Sequence, residues 1–365
     1  MTAPREAEHR AIRMAVALSE ADHVAAVRVR GPAAFDALDR LVPARLHLRD
    51  GQMLHTLLLH PSGHPVADVY VCCDDEDFFL LAEGLSASEV IEVAAEHLGP
   101  GLDVAFEDLS ATHRMLSLDG PWAWEALAEW LGPDVIGIPY LTFFHLGGRD
   151  LGVDKGSAEL PGICFRGGTT GEYGYDILIG RSLHDPVRER LLEVGASFDL
   201  VAAGLESLDQ CAIENGFFCI RAGRLEGLTP IELQLQWRVS YRKDGYVGAE
   251  ALRRRRSEGA RVRLTTFVSS AGLSPGDEVR FEGRVIGEVW ACGSSPLRGD
   301  WVGQALLERR LAHAGIDAFT ARGDDVPLRT VSAPVFDNRS LFVDPRRHCY
   351  SYRADEVFPP LVRRV

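Results

Sequence analysis

The sequence has no uninterrupted apolar stretch close to the roughly 18 to 20 residues that a membrane-spanning helix needs. Its first 15 residues mix acids with arginines, so they lack the basic and then apolar order of a signal peptide. Basic residues are also in short supply, since 39 Lys and Arg stand against 53 Asp and Glu and the formal net charge is −14. Nucleic acid and anionic membranes attract basic surfaces. We therefore predict neither as a partner, and we predict a cytoplasmic protein.

Catalytic and metal-binding signatures are missing as well. The sequence contains no serine nucleophile elbow, no Walker or Rossmann phosphate loop and no pair of metal ligands on one helix. No two of the seven cysteines have the C-x-x-C spacing of a zinc or redox site, so we predict reduced and mostly buried thiols and no metal site. The cysteines are Cys72, Cys73, Cys164, Cys211, Cys219, Cys292 and Cys349.

The first hundred residues predict a compact unit of strands and helices. Residues 24–30 predict a strand, because the later ones alternate apolar and basic side chains, and Gly31-Pro32 and a helical pattern follow. The apolar runs 54–60 and 66–72 are joined by a turn rich in proline and glycine, which predicts a β-hairpin. A strand at 78–81, a helix at 86–98 and a strand at 102–106 complete the predicted unit.

The same order of elements returns later in the chain. A strand pattern again precedes a Gly-Pro pair, Gly120-Pro121, and an aromatic helical pattern again follows it. A strand at 175–179, a helix at 186–194 and a strand at 198–201 then parallel the end of the first unit, and a helix is predicted at 205–218. These features predict an internal duplication, and two facing lobes commonly leave a ligand cleft between them.

From residue 261 the sequence changes to short strand patterns separated by Gly and Pro turns, at 262–268, 278–281, 285–290 and 301–307. Such a series predicts a small β-barrel or sandwich. We therefore predict an α+β fold with a duplicated region at residues 1–257, made of approximate lobes 1–110 and 111–257, and a C-terminal β-barrel domain at residues 258–365.

Two acids stand out from their surroundings. Asp68 interrupts an otherwise apolar strand, Val66-Ala-Asp-Val-Tyr-Val71, and a buried acid needs hydrogen-bond donors or a charge partner. It either caps a neighbouring loop or faces a ligand. Glu172 lies in a stretch with four glycines between Arg166 and Asp176, which is either a plain turn or a backbone that approaches a ligand closely.

Several segments resemble landmarks of the glycine-cleavage T-protein family. Gly63-His-Pro-Val-Ala-Asp-Val69 resembles the family hairpin Gly-Gly-Ile-x-Asp-Asp-Leu, and Gly168-Thr-Thr-Gly-Glu-Tyr-Gly-Tyr-Asp176 resembles Gly-Tyr-Thr-Gly-Glu-x-Gly-Tyr-Glu. The remaining matches lie in the family's order: Gly204 to Gly216, Thr229-Pro-Ile-Glu232, Gly245-Tyr-Val-Gly-Ala-Glu-Ala-Leu252 and Gly287-Glu-Val289 before Ser295-Pro296.

The resemblance implies two folate-binding lobes, a C-terminal barrel and tetrahydrofolate as the cofactor. It assigns Asp68 as the catalytic residue, which stabilises positive charge during one-carbon transfer. It assigns Glu172 to the two parallel donors of the pterin ring. The resemblance also places Thr170, Gly171 and Tyr246 at the cofactor.

Departures from the family pattern bear on the substrate. Ala67 replaces the first acid of the family's pair, Thr169 replaces the motif tyrosine, and Leu208 and Ala212 replace two arginines of the family helix. We therefore favour a specialised paralogue that moves a one-carbon unit on a small-molecule donor or acceptor, with a lipoyl carrier protein an unlikely partner. The first alternative is the aminomethyltransferase of the glycine cleavage system.

A second alternative is a non-catalytic folate-binding accessory protein, as in the iron–sulfur maintenance branch of the superfamily. The matching stretch from Lys243 to Gly248 lacks the cysteine of that branch, which disfavours this alternative.

Overall fold

The computed structural model describes residues 2–148, 150–151, 160–323 and 325–363. Within those ranges the chain forms seven α-helices and seventeen β-strands. The helices are α1 (Thr2–Met14), α2 (Ala34–Leu41), α3 (Ala87–Leu98), α4 (Ala123–Leu131), α5 (Arg181–Gly195), α6 (Leu205–Glu214) and α7 (Ala249–Glu258). The strands up to the end of the duplicated region are β1 (Ala17–Glu20), β2 (Ala25–Arg30), β3 (Met53–Leu59), β4 (Pro65–Asp74), β5 (Asp77–Glu83), β6 (Ala105–Asp108), β7 (His113–Asp119), β8 (Thr142–His145), β9 (Gly162–Arg166), β10 (Gly174–Gly180) and β11 (Val201–Ala202). The later strands are β12 (Val262–Ser269), β13 (Glu278–Phe281), β14 (Arg284–Ser295), β15 (Asp300–Glu308), β16 (Phe319–Ala321) and β17 (Val326–Thr330).

Two sheets with matching topology confirm the predicted duplication. The first sheet has the strand order β3-β4-β5-β2-β6, and the second has β8-β9-β10-β7-β1 with β11 added at its edge. Each strand of the first sheet therefore has a counterpart in the second. The counterpart of β6 is β1, which precedes the whole first sheet in the chain. β1 lies within the predicted lobe 1–110 but pairs with strands of the second sheet. The lobe limits 1–110 and 111–257 therefore stay a prediction.

The two Gly-Pro pairs occupy equivalent places, after β2 and after β7. Gly31 has φ +114° and Gly120 has φ +135°. A Cβ atom would lie 2.6 Å from the carbonyl oxygen of Asp103 at Gly31 and 2.3 Å from that of Ala15 at Gly120. Glycine is needed at both turns because the backbone before the neighbouring strand, β6 or β1, approaches so closely.

The sheets face each other through one apolar layer, while the helices cover their outer faces. Side chains of β3, β4 and β5 meet side chains of β7, β8, β9 and β10 in this layer. Its buried members include Met53, Cys72, Phe79, Leu81, Met115, Phe143, Ile163, Phe165 and Leu178. The edge strands also touch, since the Phe143 amide donates to the Gly51 carbonyl at 2.9 Å. The lobes thus form one body with an inner surface between them.

The C-terminal strands close into a barrel in the order β12-β15-β14-β13-β16-β17, which confirms the predicted β-barrel. All of its strand pairs are antiparallel, and its interior is apolar, with Phe267 and Phe319 almost fully buried. The position of the domain boundary, near residue 257, stays a prediction. Among the described residues, no helix is long and apolar enough to cross a membrane.

The bounds of several predicted elements differ from the structure. The strand predicted at 102–106 starts only at Ala105, and the helix predicted at 186–194 already starts at Arg181. The helix predicted at 205–218 ends at Glu214, because Gly216 adopts φ +84° and turns the chain. The strand predicted at 198–201 starts only at Val201, since residues 196–198 form a 3-10 turn.

Candidate functional site

A polar cleft opens where the apolar layer between the two sheets ends. The first sheet contributes His55, Asp68 and Tyr70, and the second contributes Ser117, Asp119 and Asp176. The loop before β10 and helix α6 line the remaining sides. Their cleft-lining residues are Gly168, Thr169, Thr170, Leu205, Leu208, Asp209 and Ala212.

The hairpin of β3 and β4 brings His55 to Asp68. In its register Leu57 pairs with Asp68 and His55 pairs with Tyr70, so positions 55, 68 and 70 share one face. The Nε2 atom of His55 lies 2.6 Å from Oδ1 of Asp68. The His55 ring also stacks on Tyr70 with 4.1 Å between the ring centroids.

Arg238 completes the surroundings of Asp68 from a distant part of the chain. It ends the short 3-10 helix Gln236–Arg238, and its carbonyl accepts a hydrogen bond of 3.2 Å from the Thr56 hydroxyl on β3. Its Nη1 atom lies 2.6 Å from Oδ2 of Asp68, and its guanidinium stacks over the Trp237 ring at 4.7 Å. The side chain of Arg238 is fully buried. We call His55, Asp68 and Arg238 the anionic wall.

The anionic wall fixes the charge of Asp68. Burial alone raises the pKa of this carboxyl, but His55 and Arg238 outweigh burial and hold the pKa well below its usual range. Burial lowers the pKa of His55 and outweighs the attraction of Asp68. At neutral pH the wall therefore holds an ionised aspartate beside an uncharged imidazole.

The opposite side of the cleft holds two carboxyl groups that share one hydroxyl. The Ser117 Oγ atom lies 2.9 Å from Oδ2 of Asp119 and 2.8 Å from Oδ1 of Asp176. The Thr170 hydroxyl donates to Oδ1 of Asp119 at 3.0 Å. Burial, reinforced by Asp119, raises the pKa of Asp176 to about 7, and burial also raises the pKa of Asp119. We call Ser117, Asp119 and Asp176 the protonatable wall.

The structure places Glu172 away from the cleft, where its side chain is fully buried. Its Oε1 accepts from the Arg339 amide at 3.0 Å, and its Oε2 accepts from the Ser340 amide at 2.8 Å and hydroxyl at 2.7 Å. The Arg13 guanidinium lies 3.8 Å from the same carboxylate. These partners engage both carboxylate oxygens of Glu172, and Glu172 is not among the residues that line the cleft, so the geometry does not favour the predicted contact with a pterin.

Gly171 and Tyr246 also lie outside the set of residues that lines the cleft. Gly171 has φ +85°, and a Cβ there would lie 2.3 Å from Nδ2 of Asn338 and 2.6 Å from Oδ1 of Asn215. Tyr246 is buried in an apolar cluster with Leu57, Leu59 and Leu252. Of the predicted site residues, Asp68 and Thr170 line the cleft.

A cation lies at the side of the cleft formed by helix α6. Arg221 donates to both carboxylate oxygens of Asp209, at 3.0 and 2.6 Å, and lies 3.3 Å from Glu83. Burial, reinforced by Asp68, raises the pKa of Glu83 to about 7. Leu208 and Ala212, at the positions of the missing family arginines, line the same cleft as Arg221.

His9, Cys211 and Glu214 form a buried group of side chains of the kinds that bind metals, within the described part of the chain. The Arg13 Nη2 atom donates to Glu214 at 2.8 Å, and His9 Nε2 lies 2.8 Å from the same oxygen. Because a guanidinium already neutralises the carboxylate, the group fits a buried ion-pair network better than a cation site.

Sequence reasoning missed His55, Arg238, Ser117 and Asp119, and it quoted Asp176 without assigning it a role. The predicted hairpin alone did not bring His55 to Asp68, because the register shift between Leu58 and Leu59 decides that the two residues share a face. The sequence also contains no signal for Arg238, which reaches Asp68 across 170 positions.

Comparisons with known proteins agree with this architecture. The model of the family described as "GCVT N-terminal domain" matches residues 1–243. The aminomethyltransferase of Thermoanaerobacter sp. (strain X514) is 28% identical over 315 residues, which cover 84% of this chain and 82% of that protein. The aminomethyltransferase of Rubrobacter xylanophilus is 29% identical over 336 residues, which cover 91% and 86%. The crystal structure of glycine cleavage system aminomethyltransferase T from Bartonella henselae matches with a TM-score of 0.80 at 23% identity and covers 92% of this chain and 90% of that one, so it shares the fold.

Proposed function

The chain belongs to the GCVT N-terminal domain family, whose model matches more than half of it, and we propose that it transfers an aminomethyl group to tetrahydrofolate. The predicted class, a folate-dependent transferase, is confirmed by this membership and by the relatives named aminomethyltransferase. The preference for a specialised paralogue has no such support. Relatives that match along most of their length favour the alternative, the aminomethyltransferase of the glycine cleavage system.

The observation that carries this proposal is the fixed negative charge of Asp68 at the cleft. His55 and Arg238 hold both of its oxygens at 2.6 Å and keep it ionised. Positive charge develops on the one-carbon unit as it leaves one atom for another. A preorganised anion stabilises such charge most strongly in a site from which water is excluded. We therefore retain Asp68 as the proposed catalytic residue.

The protonatable wall fits a bound tetrahydrofolate. Asp176 is only partly buried, lines the cleft and accepts a hydrogen bond from Ser117 at one oxygen, so its other oxygen keeps acceptor capacity. The pterin ring presents a ring N–H beside an amino group, and one carboxylate can accept from both. When bound, tetrahydrofolate supplies the amine nitrogens that receive the one-carbon unit. We propose Asp176, in place of Glu172, as the carboxylate that recognises the pterin.

Arg221 is the proposed contact for the anionic tail of the folate. The family arginine positions on α6, now Leu208 and Ala212, are apolar here, but Arg221 brings a guanidinium to the same cleft. A guanidinium suits carboxylates because its N–H groups form a planar fork. The fork of Arg221 is bonded to both carboxylate oxygens of Asp209, so the proposed contact requires that the folate tail displaces Asp209 from Arg221.

Of the other predicted contacts, we retain one at the cofactor and propose structural roles for two. Thr170 stays a proposed cofactor-binding residue because its hydroxyl orients Asp119 at the cleft. For Gly171 and Tyr246 we propose framework roles, since one permits the close approach of two asparagines and the other packs in an apolar cluster. A lipoyl carrier protein was considered unlikely only because a specialised paralogue was favoured. Since the paralogue has no support, we propose a lipoyl carrier protein as the donor.

A transfer assay tests the proposal directly. We expect the purified chain to release ammonia and form methylenetetrahydrofolate when it receives tetrahydrofolate and an aminomethylated lipoyl carrier protein. Sarcosine, as a small N-methylated amine, should give no transfer. Transfer from sarcosine alone would restore the specialised paralogue, and transfer from neither donor would remove the proposed activity.

A further inference from the structure

The His55 ring is held in one tautomer. Its Nε2 atom lies 2.6 Å from an Asp68 carboxylate that Arg238 keeps ionised, and an ionised carboxylate can only accept. Nε2 must therefore carry the hydrogen, and the lone pair of the uncharged ring belongs to Nδ1. The tautomer follows from this hydrogen bond.

The Nδ1 atom remains free for a ligand. It forms no hydrogen bond with any residue in the described ranges. It is also not fully buried, so a ligand can reach it. His55 itself lines the cleft between the two walls. A largely buried ring that lines the cleft thus keeps an accessible lone pair for a ligand.

Aromatic neighbours fix the orientation of the ring. Tyr70 stacks on His55 with an interplanar angle of 20°, and Trp237 forms a T-shaped pair with the ring at 5.7 Å and 78°. A base that its neighbours hold in place needs little reorganisation when a substrate arrives.

The groups around His55 keep it uncharged and ready to accept a proton. Asp68 favours the imidazolium, Arg238 disfavours it, and burial disfavours it most, so the pKa lies below its usual value. The phenol of Tyr70, on β4, has a raised pKa and stays neutral. The acids that line the cleft with His55 are Glu83 on β5, Asp119 on β7, Asp176 on β10 and Asp209 on α6.

We propose that His55 Nδ1 is the general base and acid of the transfer, with Asp68 as the group that holds its tautomer. This assignment rests on the proposed function. As the acceptor amine forms its bond to the one-carbon unit with its lone pair, its proton passes to Nδ1. The bond between that carbon and its previous carrier breaks, and its electron pair stays on the leaving atom. Nδ1 then returns the proton to the leaving atom. In a second step of the same kind, the second amine of the acceptor forms a bond to the carbon and gives its proton to Nδ1. The bond from the carbon to the amino group breaks with its electron pair on nitrogen, and Nδ1 returns the proton to that nitrogen, which leaves as ammonia. The protein ends in its starting state.

Asp68 is poorly suited to this proton transfer. Its low pKa and its ion pair with Arg238 make it a weak proton acceptor at neutral pH. General bases work best when their pKa is close to the working pH, and an imidazole meets that condition far better than an ion-paired carboxylate. The two residues thus have different roles. Asp68 supplies negative charge and orients the His55 ring, and His55 transfers the proton.

The variant His55→Gln separates the two roles. Glutamine can place its own Nε2 near Asp68 and still donate to it, but it has no basic lone pair. We expect kcat to fall about 100- to 10,000-fold, with the affinity for tetrahydrofolate within a few-fold of that of the unsubstituted protein. The fall in kcat at acidic pH that reflects protonation of His55 should also disappear.

The matched control is His145→Gln. His145 Nε2 lies 2.7 Å from Oδ1 of Asp74, so the chain offers a second His–Asp pair of the same geometry outside the cleft. This variant should keep the kcat and the pH profile of the unsubstituted protein. In a His55→Ala variant, added imidazole should recover part of the lost rate, which a merely structural histidine would not show.

Each outcome bears on one claim. If His55→Gln keeps its kcat and its acidic limb, or loses rate only in proportion to folate affinity, His55 is not the base. If the glutamine variant fails to fold, His55→Ala with and without imidazole decides, and no rescue in a folded protein overturns the assignment. If the unsubstituted protein transfers nothing to tetrahydrofolate, the proposed function fails instead.

Discussion

The two walls of the cleft both present carboxyl groups, but the anionic wall stabilises the ionised form and the protonatable wall stabilises the protonated form. On the anionic wall, Asp68 has two cationic or hydrogen-bonding partners at 2.6 Å, and its pKa is lowered. On the protonatable wall, Asp119 and Asp176 face each other across one hydroxyl, and both pKa values are raised. Duplicated sheets have therefore produced unlike surfaces.

This difference assigns separate tasks to the walls. A carboxylate that stays ionised can stabilise positive charge throughout a reaction, because no proton has to leave it first. A carboxyl group that titrates near neutrality becomes ionised when a ligand donates hydrogen bonds to it. We expect substitutions on the anionic wall to reduce turnover and substitutions on the protonatable wall to reduce affinity.

Among the carboxyl groups of the two walls, the largest effect should follow from Asp68→Asn, which removes the fixed charge but keeps the shape. A group that acts only on the developing charge changes kcat rather than affinity, and one such group supplies about a 100- to 1000-fold rate increase. We expect kcat to fall by that factor and the affinity for tetrahydrofolate to stay within a few-fold. Asp74→Asn, at the surface pair with His145, is the control. A lower melting temperature with unchanged turnover per folded molecule would make Asp68 a structural residue.

A smaller effect, on affinity, should follow from Asp176→Asn. The amide presents one donor where the pterin also presents donors, so a charge-assisted hydrogen bond worth about 1.5 to 3 kcal/mol is lost. Calorimetric titration with tetrahydrofolate should show affinity weakened about 10- to 150-fold. Asp134→Asn, on the exposed surface of the same lobe, should bind normally. Equal affinities in the two variants would remove Asp176 from the site.

Glu172→Gln compares the carboxyl groups of the two walls with a carboxylate that lies outside both of them. The amide replaces an ionic acceptor of the Arg339 and Ser340 amides, and such hydrogen bonds contribute about 1.5 to 3 kcal/mol. We expect a lower free energy of unfolding in urea titrations and unchanged folate affinity per folded molecule. A folded variant of normal stability that binds folate weakly would restore the role predicted from the sequence.

The sequence was most informative where structure depends on local pattern. The strand pattern at 24–30, whose later residues alternate, and the hairpin turn at 61–65 predicted β2, β3 and β4 to within a few residues. The two Gly-Pro pairs marked equivalent turns of the duplicated sheets. These features follow from backbone conformation and from one-sided burial, which neighbouring residues encode.

The site was less accessible because long-range contacts create it. Asp68 was predicted from its unusual place in an apolar strand, but its charge state depends on Arg238, which arrives from a short helix far along the chain. Glu172 was assigned from its motif, yet its partners Arg339 and Ser340 lie in a C-terminal segment that no sequence pattern connected with it. Local sequence does not encode such partners.

The last effect concerns the dependence of stability on pH. Asp176 has a pKa of about 7 in the folded protein and an ordinary value of 3.8 in the unfolded chain, so the folded state binds its proton more tightly. The stability that this proton contributes is complete below pH 3.8 and is lost as the pH rises through about 7. Without ligand, Asp176→Asn should therefore gain melting temperature relative to the unsubstituted protein between pH 4 and pH 7. A difference that does not change with pH would mean that Asp176 titrates normally.

Binding of tetrahydrofolate itself tests the central claim most directly. The unsubstituted protein should gain about 2.7 kcal/mol of stability when tetrahydrofolate is present at a hundredfold excess over its dissociation constant. Thermal unfolding at increasing tetrahydrofolate concentration measures this gain, and Asp176→Asn at the same concentrations should gain less. A melting temperature that does not move at millimolar tetrahydrofolate would contradict the claim that the cleft between the anionic and protonatable walls is a folate site.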